Sequence, residues 1–494
     1  MLNRLRFNWH YRRKHFVRAL AYSGLGTRTG FSGKTLWALY QVGMLATVAQ
    51  TTKAPSGLRG RFAQTVALAA CGQPEEARRG LARMRRHAGW RGCLAPLSKA
   101  LAPYLPEEAL QLAEKSGKTG PGLRLALLLA NGHQADAKAL LDSQSKLAAK
   151  TEPELHLLRT NALSGSPSEQ LQRLNAYLAT YNIAPLHLLD ASLPPSPFNV
   201  GAAPRAQTAT GPLVTVLMTT YRTGNLAIAA IQSILQQSYT NLELIIIDDG
   251  SDDSTVDLIT AQTALDSRVR IVQLADNMGT YAAKLIGLSQ ARGEFVTCQD
   301  SDDWAHPEKI ERQLAPLLQD EQLVCTVSNW VRMRSDGSFY SRMVYPLTRL
   351  NPSSPLFRRQ RVVETTGAWD CVRTGADSEF LARLKLVFGP NAVKKINQPL
   401  VLGSHRPDSL MTASATGYST SGVSRPRLAY WESWNRWHIH CLAAGKVPMM
   451  SLNQQDPAMS RPFVAPEALQ ICAQSIPAEL YQKIIANYPL PHYC

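Results

Sequence analysis

The chain is short of cysteine for its length, and none of its cysteines is grouped for chemistry. The eight, at 71, 93, 298, 325, 371, 441, 472 and 494, are scattered with no CxxC pair. That argues against a disulfide framework or a zinc site and reads as reduced thiols in a cytosolic protein. Long apolar runs are also missing. No uninterrupted stretch reaches the ~18 residues that a membrane-spanning helix needs, and no secretory signal pattern is visible. Acidic residues are absent from the first 74 positions, which hold eleven Lys/Arg before Glu75 appears. What is present is ordinary for a folded protein: 45% apolar and 18% charged residues in 494, enough for two or three domains with sizeable cores.

Net charge is +16, and the acid-free start carries much of it. Three readings of that start compete. It is a mitochondrial transit segment, a nucleic-acid-binding arm, or a helix on an anionic membrane surface. No nucleic-acid-binding fold accompanies it, so nucleic acid is not an expected partner. Leu5, Trp9, Phe16 and Leu20 are spaced to share one helical face, with Arg12, Arg13, Lys14 and Arg18 on much of the rest. Residues 1–59 are therefore expected to carry an amphipathic membrane-surface helix. The plainer alternative is a basic helix packed on the chain's own surface.

Residues 60–190 are rich in Ala and Leu and echo themselves. Pro74-Glu75-Glu76-Ala77 recurs as Pro106-Glu107-Glu108-Ala109, then loosely at Gln134-Ala135-Asp136-Ala137 and Pro167-Ser168-Glu169-Gln170. Proline with acids in the next positions is a helix start. A period near thirty residues resembles tetratricopeptide-like helical hairpins, and an irregular helical domain is the competing reading. A Pro/Gly-rich linker is expected over 191–212, an α/β domain over 213–412 and a C-terminal helical extension over 413–494. The α/β region alternates strand and helix: 213–219, 225–237, 242–247, 253–265, 269–274, 280–291 and 294–299. That pattern predicts a mostly parallel sheet covered by helices.

Two aspartate clusters end two of these apolar runs. One is Asp248-Asp249-Gly250-Ser251-Asp252-Asp253, and the other is Asp300-Ser301-Asp302-Asp303. Carboxylates just past a parallel strand lie at the edge where open α/β sheets bind ligands. Crowded carboxylates repel one another unless a cation sits among them. With Val214–Arg222 before them, these segments resemble the inverting family 2 glycosyltransferases of the GT-A (Rossmann-like) fold, over roughly residues 212–412. The resemblance implies a nucleotide site at Thr219, Tyr221 and Asp249, with Asp249 facing the nucleobase. Lys284, in a segment that packs over the nucleotide, is implied to face phosphate or base. Asp300 is implied at the ribose, and Asp302 as the ligand of Mn²⁺ or Mg²⁺. Gly375-Ala376-Asp377 resembles the acceptor-side helix start, which makes Asp377 the general base. Ala376 stands where the family usually has Glu. Arg406, in Gly403–Leu410, is implied at the diphosphate, with His405 beside it.

The function so implied is transfer of a sugar from a UDP-linked donor to a glycan or lipid-linked glycan. The context is bacterial surface polysaccharide, made by an enzyme that is cytoplasmic or peripheral on the inner face of the membrane. The helical region would then dock a protein partner. Two alternatives stay open: a helical-repeat scaffold beside a non-catalytic transferase-like domain, and a nucleotidyltransferase on a similar sheet.

Overall fold

Short helices built from the Ala- and Leu-rich sequence fill the first 180 residues. They are α1 (Leu2–Arg12), α2 (Phe16–Ala21), α3 (Gly33–Gln41), α4 (Leu45–Ala49), α5 (Leu58–Ala70), α6 (Pro74–Met84), α7 (Leu94–Leu101), α8 (Pro106–Ser116), α9 (Pro121–Ala130), α10 (Gln134–Ser143), α11 (Leu155–Ala162) and α12 (Pro167–Ala179). The computed structural model describes residues 2–471 apart from 26–29, 54, 56, 145–150, 164, 204–210, 408, 414, 420–421 and 451–460. Linker residues 204–210, Cys472, Cys494 and the extension's 451–460 and 472–494 lie outside the described residues. From α5 onward, consecutive helices pack in pairs: α5 with α6, α7 with α8, α9 with α10, α11 with α12. Each echoed sequence segment opens the second helix of a pair, at Pro74, Pro106, Gln134 and Pro167. Proline suits that position because the first helical N–H has no intrahelical partner to lose. Ser166 and Glu169 close a reciprocal capping box on α12.

Two short strands, β1 (Leu186–Leu188) and β2 (Val200–Ala202), pair and lead into the α/β region. Its first half is β3 (Val214–Thr220), α13 (Asn225–Leu235), β4 (Leu242–Asp248), α14 (Thr255–Thr263), β5 (Val269–Gln273), α15 (Thr280–Ser289) and β6 (Phe295–Asp300). Then come β7 (Trp304–Ala305), α16 (Lys309–Gln319), β8 (Cys325–Met333), β9 (Phe339–Tyr340), β10 (Arg349–Leu350), β11 (Leu356–Arg358) and α17 (Arg359–Thr366). The remainder is α18 (Ala376–Val387), β12 (Val393–Ser404), β13 (Tyr418–Ser419), β14 (Gly422–Val423) and α19 (Arg425–Ala443). The main sheet runs β5-β4-β3-β6-β11-β8-β12-β7. Its first four strands are parallel, as expected. Beyond them it is mixed: β11 is antiparallel to β6 and β8, β12 is parallel to β8, and β7 is antiparallel to β12. This is the mixed sheet of a GT-A, Rossmann-like domain, preceded by an all-α region.

Strand alternation sorts the core into two faces. Leu217, Ile245, Ile247 and Cys298 pack toward Ile286 of α15, Phe380 of α18 and Trp434 of α19. Val216, Leu244 and Ile246 pack toward Ile231 of α13 and Ile310 of α16. Tyr430, Trp434 and Trp437 are buried, so their stripe on α19 is core packing. The helical region is fused to the sheet. Leu97, Leu127, Leu157 and Tyr177 share one core with Trp304, Val331, Met333, Phe339 and Leu402. Asn161 exchanges two hydrogen bonds with the Phe339 backbone, and Glu154 accepts the amides of Leu347 and Thr348.

The N-terminus departs from the single amphipathic helix expected of it. The helix stops at Arg12 and restarts at Phe16, with Lys14 at φ 60° in the turn between. Leu20 is fully buried and Phe16 half-buried. Phe7 and Tyr11, absent from the expected stripe, pack with Leu36, Leu39, Leu428 and Ile439. Arg18 donates to the Leu386 carbonyl at 2.9 Å. Leu2, Leu5 and Trp9 remain 60%, 59% and 52% exposed along α1, so only that helix keeps an outward apolar flank. Among the described residues no helix is long and apolar enough to cross a membrane.

Candidate active site

Three neighbouring parallel strands end at the same edge, and the site grows from their last residues. Thr219 of β3 stands opposite Asp300 of β6, and Thr220 stands opposite Asp248 of β4. Asp248 is buried and turns the chain: both its oxygens accept from Ser251, the amide at 2.9 Å and the hydroxyl at 2.6 Å. Gly250 makes the turn possible. At φ +74° a side chain is strained, and a Cβ there would meet the Asp276 carbonyl carbon at 2.6 Å.

Asp249 accepts the amides of Met278 and Gly279 at 2.7 and 2.8 Å, the two residues that lead into α15. Burial pushes its pKa up to about 6 against the pull of those two amides, and Asp248 adds to the rise. Each carboxylate oxygen has a second lone pair, so both can accept again. Thr219 shares a hydroxyl–hydroxyl bond with Thr280 at 2.7 Å. Tyr221 is exposed at the mouth, its ring under the Arg222 guanidinium, which forks onto Asp252.

The second cluster sits where β6 ends. Asp300 accepts the Ser353 hydroxyl at 2.8 Å. Asp302 accepts from Arg406, whose Nε and Nη2 approach the same oxygen, Oδ2, at 3.0 and 2.9 Å. Burial raises the Asp302 pKa, Arg406 opposes it and Asp300 adds to it. Asp303 lies just past the end of β6. It accepts the Ser404 amide at 2.9 Å and so joins the end of β6 to the end of β12. His405 stacks on Tyr340 with ring centroids 3.7 Å apart, and burial with Arg332 and Arg334 nearby lowers its pKa to about 4.

Among the described residues no group of three or more His, Cys, Asp or Glu side chains forms a ready-made metal cage. A Mg²⁺ or Mn²⁺ site of the kind completed by substrate phosphates needs only one or two carboxylates. Asp302 fits that requirement: Arg406 engages Oδ2 alone, and the Asp300 charge that adds to the rise caused by burial is one that a cation would offset.

Asp377 reaches the same edge from the first turn of α18, after Gly375 at φ +97°. Its side chain is 13% exposed. Tyr281 donates its hydroxyl to Oδ2 at 2.9 Å, and Lys284 brings Nζ to 3.6 Å from Oδ1. Burial raises the Asp377 pKa, Lys284 pulls it down and Asp300 pushes it up. Asp300 thus acts on both Asp302 and Asp377, which puts the three carboxylates in one electrostatic neighbourhood. Lys284, expected at phosphate or base, has its ammonium beside Asp377.

Sequence reasoning did not single out Tyr281, Ser353 or Arg373. Arg373 lies by Asn277 at 3.4 Å and lowers the Asp249 pKa. It is held through its amide by the Leu469 carbonyl at 2.9 Å. Residues 461–471 return to this loop: Arg461 pairs with Asp370, Phe463 packs on Tyr430 and Trp437, and Gln470 bridges Val372. The tail gives no sequence signal for this. The Tyr281–Lys284 spacing of three does mark one helical face.

Residues 215–376 match the model of the family described as Glycosyl transferase family 2. An uncharacterized glycosyltransferase of Haemophilus influenzae is 39% identical over 127 residues, 26% of this chain and 50% of that protein. Glycosyltransferase GlyG of Streptococcus pneumoniae is 35% identical over 129 residues, 26% of this chain and 42% of that protein. The chain therefore spans half or less of the length of these relatives. Among solved structures, S. aureus TarS 1–349 in complex with UDP-GlcNAc aligns at 18% identity with a TM-score of 0.33. The alignment covers 40% of this chain and 59% of that one, a similarity too low to bear on function.

Proposed function

We propose that the α/β region transfers a sugar from a nucleotide-diphosphate donor, a UDP-sugar, to a glycan or lipid-linked glycan acceptor. Transfer inverts the anomeric carbon and serves bacterial surface polysaccharide synthesis: lipopolysaccharide, capsule or exopolysaccharide. The observation that carries this reading is the meeting of Asp249, Asp300, Asp302 and Asp377 at one sheet edge, with Asp377 buried enough to be basic. Thr219, Tyr221 and Asp249 take the nucleoside, Asp249 accepting from the ring N–H of uracil, and Asp300 takes the ribose. Asp302 would hold Mn²⁺ or Mg²⁺, which when bound offsets the charge that develops on the leaving diphosphate. Arg406 offers a guanidinium fork to the same diphosphate. Asp377 accepts the proton of the acceptor hydroxyl as its oxygen bonds to the anomeric carbon. The bond from that carbon to the nucleoside diphosphate breaks on the opposite face, and its electron pair leaves with the diphosphate.

The same reading includes contact with an anionic membrane surface through α1, supported by exposed Leu2, Leu5 and Trp9 among Arg4, Arg6, Arg12 and Arg13. It also leaves the outer side of the helical region, away from the sheet, for a protein partner.

The test is UDP release from a panel of UDP-sugars with Mn²⁺. EDTA should abolish release and added Mn²⁺ should restore it, while Asp302→Ala stays inactive with its melting temperature unchanged. Full turnover in EDTA would remove the cation from the account.

A further inference from the structure

Lys284 is the least expected group near the carboxylates. It is 1% exposed, in the second turn of α15. Burying an ammonium is costly unless it is paired. Among the described residues the carboxylate at salt-bridge distance is Asp377, 3.6 Å away. Two aromatic rings also face it: Nζ lies 5.1 Å from the Tyr281 ring centroid and 5.8 Å from that of Trp369. Tyr281 completes the hold. Its hydroxyl donates to Asp377 Oδ2 at 2.9 Å and accepts the Asp377 amide at 3.3 Å. Both carboxylate oxygens are thus held by two side chains three residues apart on one helix. That helix begins at the Met278 and Gly279 amides that bind Asp249. From Thr280 to Lys284 the helix rises about 6 Å, so one rigid element and its entry turn carry contacts of the nucleobase-side carboxylate and of the acceptor-side carboxylate.

We propose that Lys284 is a positioning residue for the general base: with Tyr281 it holds the two oxygens of the Asp377 carboxylate in place, and it makes no contact with the donor. The proposal rests on the reading of Asp377 as the base. Burial raises the proton affinity of Asp377, which favours catalysis, and Lys284 opposes that rise. The other titratable groups acting on this pair are Tyr281, Asp300 and Cys298. Glu379 and Arg383 of α18 are turned away, into a buried cluster with His438.

The experiment compares parent, Lys284→Met and Tyr281→Phe for UDP release from UDP-sugars against pH, and for UDP affinity by calorimetry. Without Lys284, burial is opposed by the Tyr281 hydrogen bond alone, and the acid limb of kcat/KM should move up by about 1–3 pH units. Tyr281→Phe removes one donor and should move it the same way by less. UDP affinity should stay within about threefold in both, because neither contacts the donor. Lys284→Arg keeps the charge and should hold the limb near its parent position. A fall in UDP affinity with the limb unmoved would make Lys284 a donor ligand and overturn the proposal. A drop in kcat with no movement of the limb would reduce it to a packing residue. Should Lys284→Met fail to fold, the isosteric Tyr281→Phe decides the same question. Asp377→Asn is the separate control: parent-like turnover there would remove the base assignment itself, whatever Lys284 does.

Discussion

A carboxylate clamped by two backbone amides is a fixed acceptor, and Asp249 is fixed in this way beside the end of β3. Its pKa of about 6 has a consequence for donor binding. Below that value the group is protonated and is a poorer acceptor for a ring N–H. UDP affinity should fall about tenfold from pH 7 to pH 5 and level off above 7, and Asp249→Asn should flatten the profile. Calorimetry at constant ionic strength checks this; a flat parent profile would take Asp249 away from the nucleobase. For folding the sign is opposite. A raised carboxylate contributes stability that is present below its unfolded value near 4 and lost as pH rises through about 6. The aspartates themselves were legible in sequence because they end apolar runs. Tyr281, Ser353 and Arg406's grip on Asp302 were not, since each joins segments 50 or more residues apart through packing.

At the scale of elements, α15 does most to build the site. Gly279, at φ +85°, lets the chain enter the helix with two amides aimed at Asp249, and Tyr281 and Lys284 follow on the face toward α18. The strands and helices from 213 to 299 were readable to within about two residues at each end, because apolar runs alternate there with glycine and polar turns. Three-residue β11 was not, although it turns the parallel sheet into a mixed one. A strand that short carries no period. The break at Lys14 was missed for a related reason: spacings of four and seven count straight through a turn. Between α18 and α19 the buried cluster of Glu379, Arg383 and His438 also escaped notice. Its Glu379 is held down to about 2, burial opposing and Arg383 prevailing.

For the whole molecule, the helical region shares its core with the α/β region rather than forming a detachable arm, since Trp304, Val331 and Phe339 are covered by its leucines. The N-terminus is half inside and half outside. Removing residues 1–24 would strip Leu20 and Tyr11 from a packed core, so truncation is a poor probe of membrane contact. Leu5→Ser with Trp9→Ser is a better one, because both side chains already face solvent. The parent should float with phosphatidylglycerol vesicles at low salt and detach as salt rises, each nearby Lys or Arg contributing about 1 kcal/mol. The double variant should bind at least about tenfold more weakly, from the ~1.5–3 kcal/mol that each large apolar side chain contributes, and its melting temperature should be unchanged. Equal flotation of parent and variant would leave α1 without a membrane role.

The most direct measurement of the central claim is turnover by Asp377→Asn beside the parent, with UDP affinity followed on both. The carboxamide keeps the shape and removes the base. UDP release should drop on the order of 10²–10⁴-fold while UDP binds as before. Parent-like turnover in the variant would contradict the account, because the proton of the attacking hydroxyl would then be accepted elsewhere.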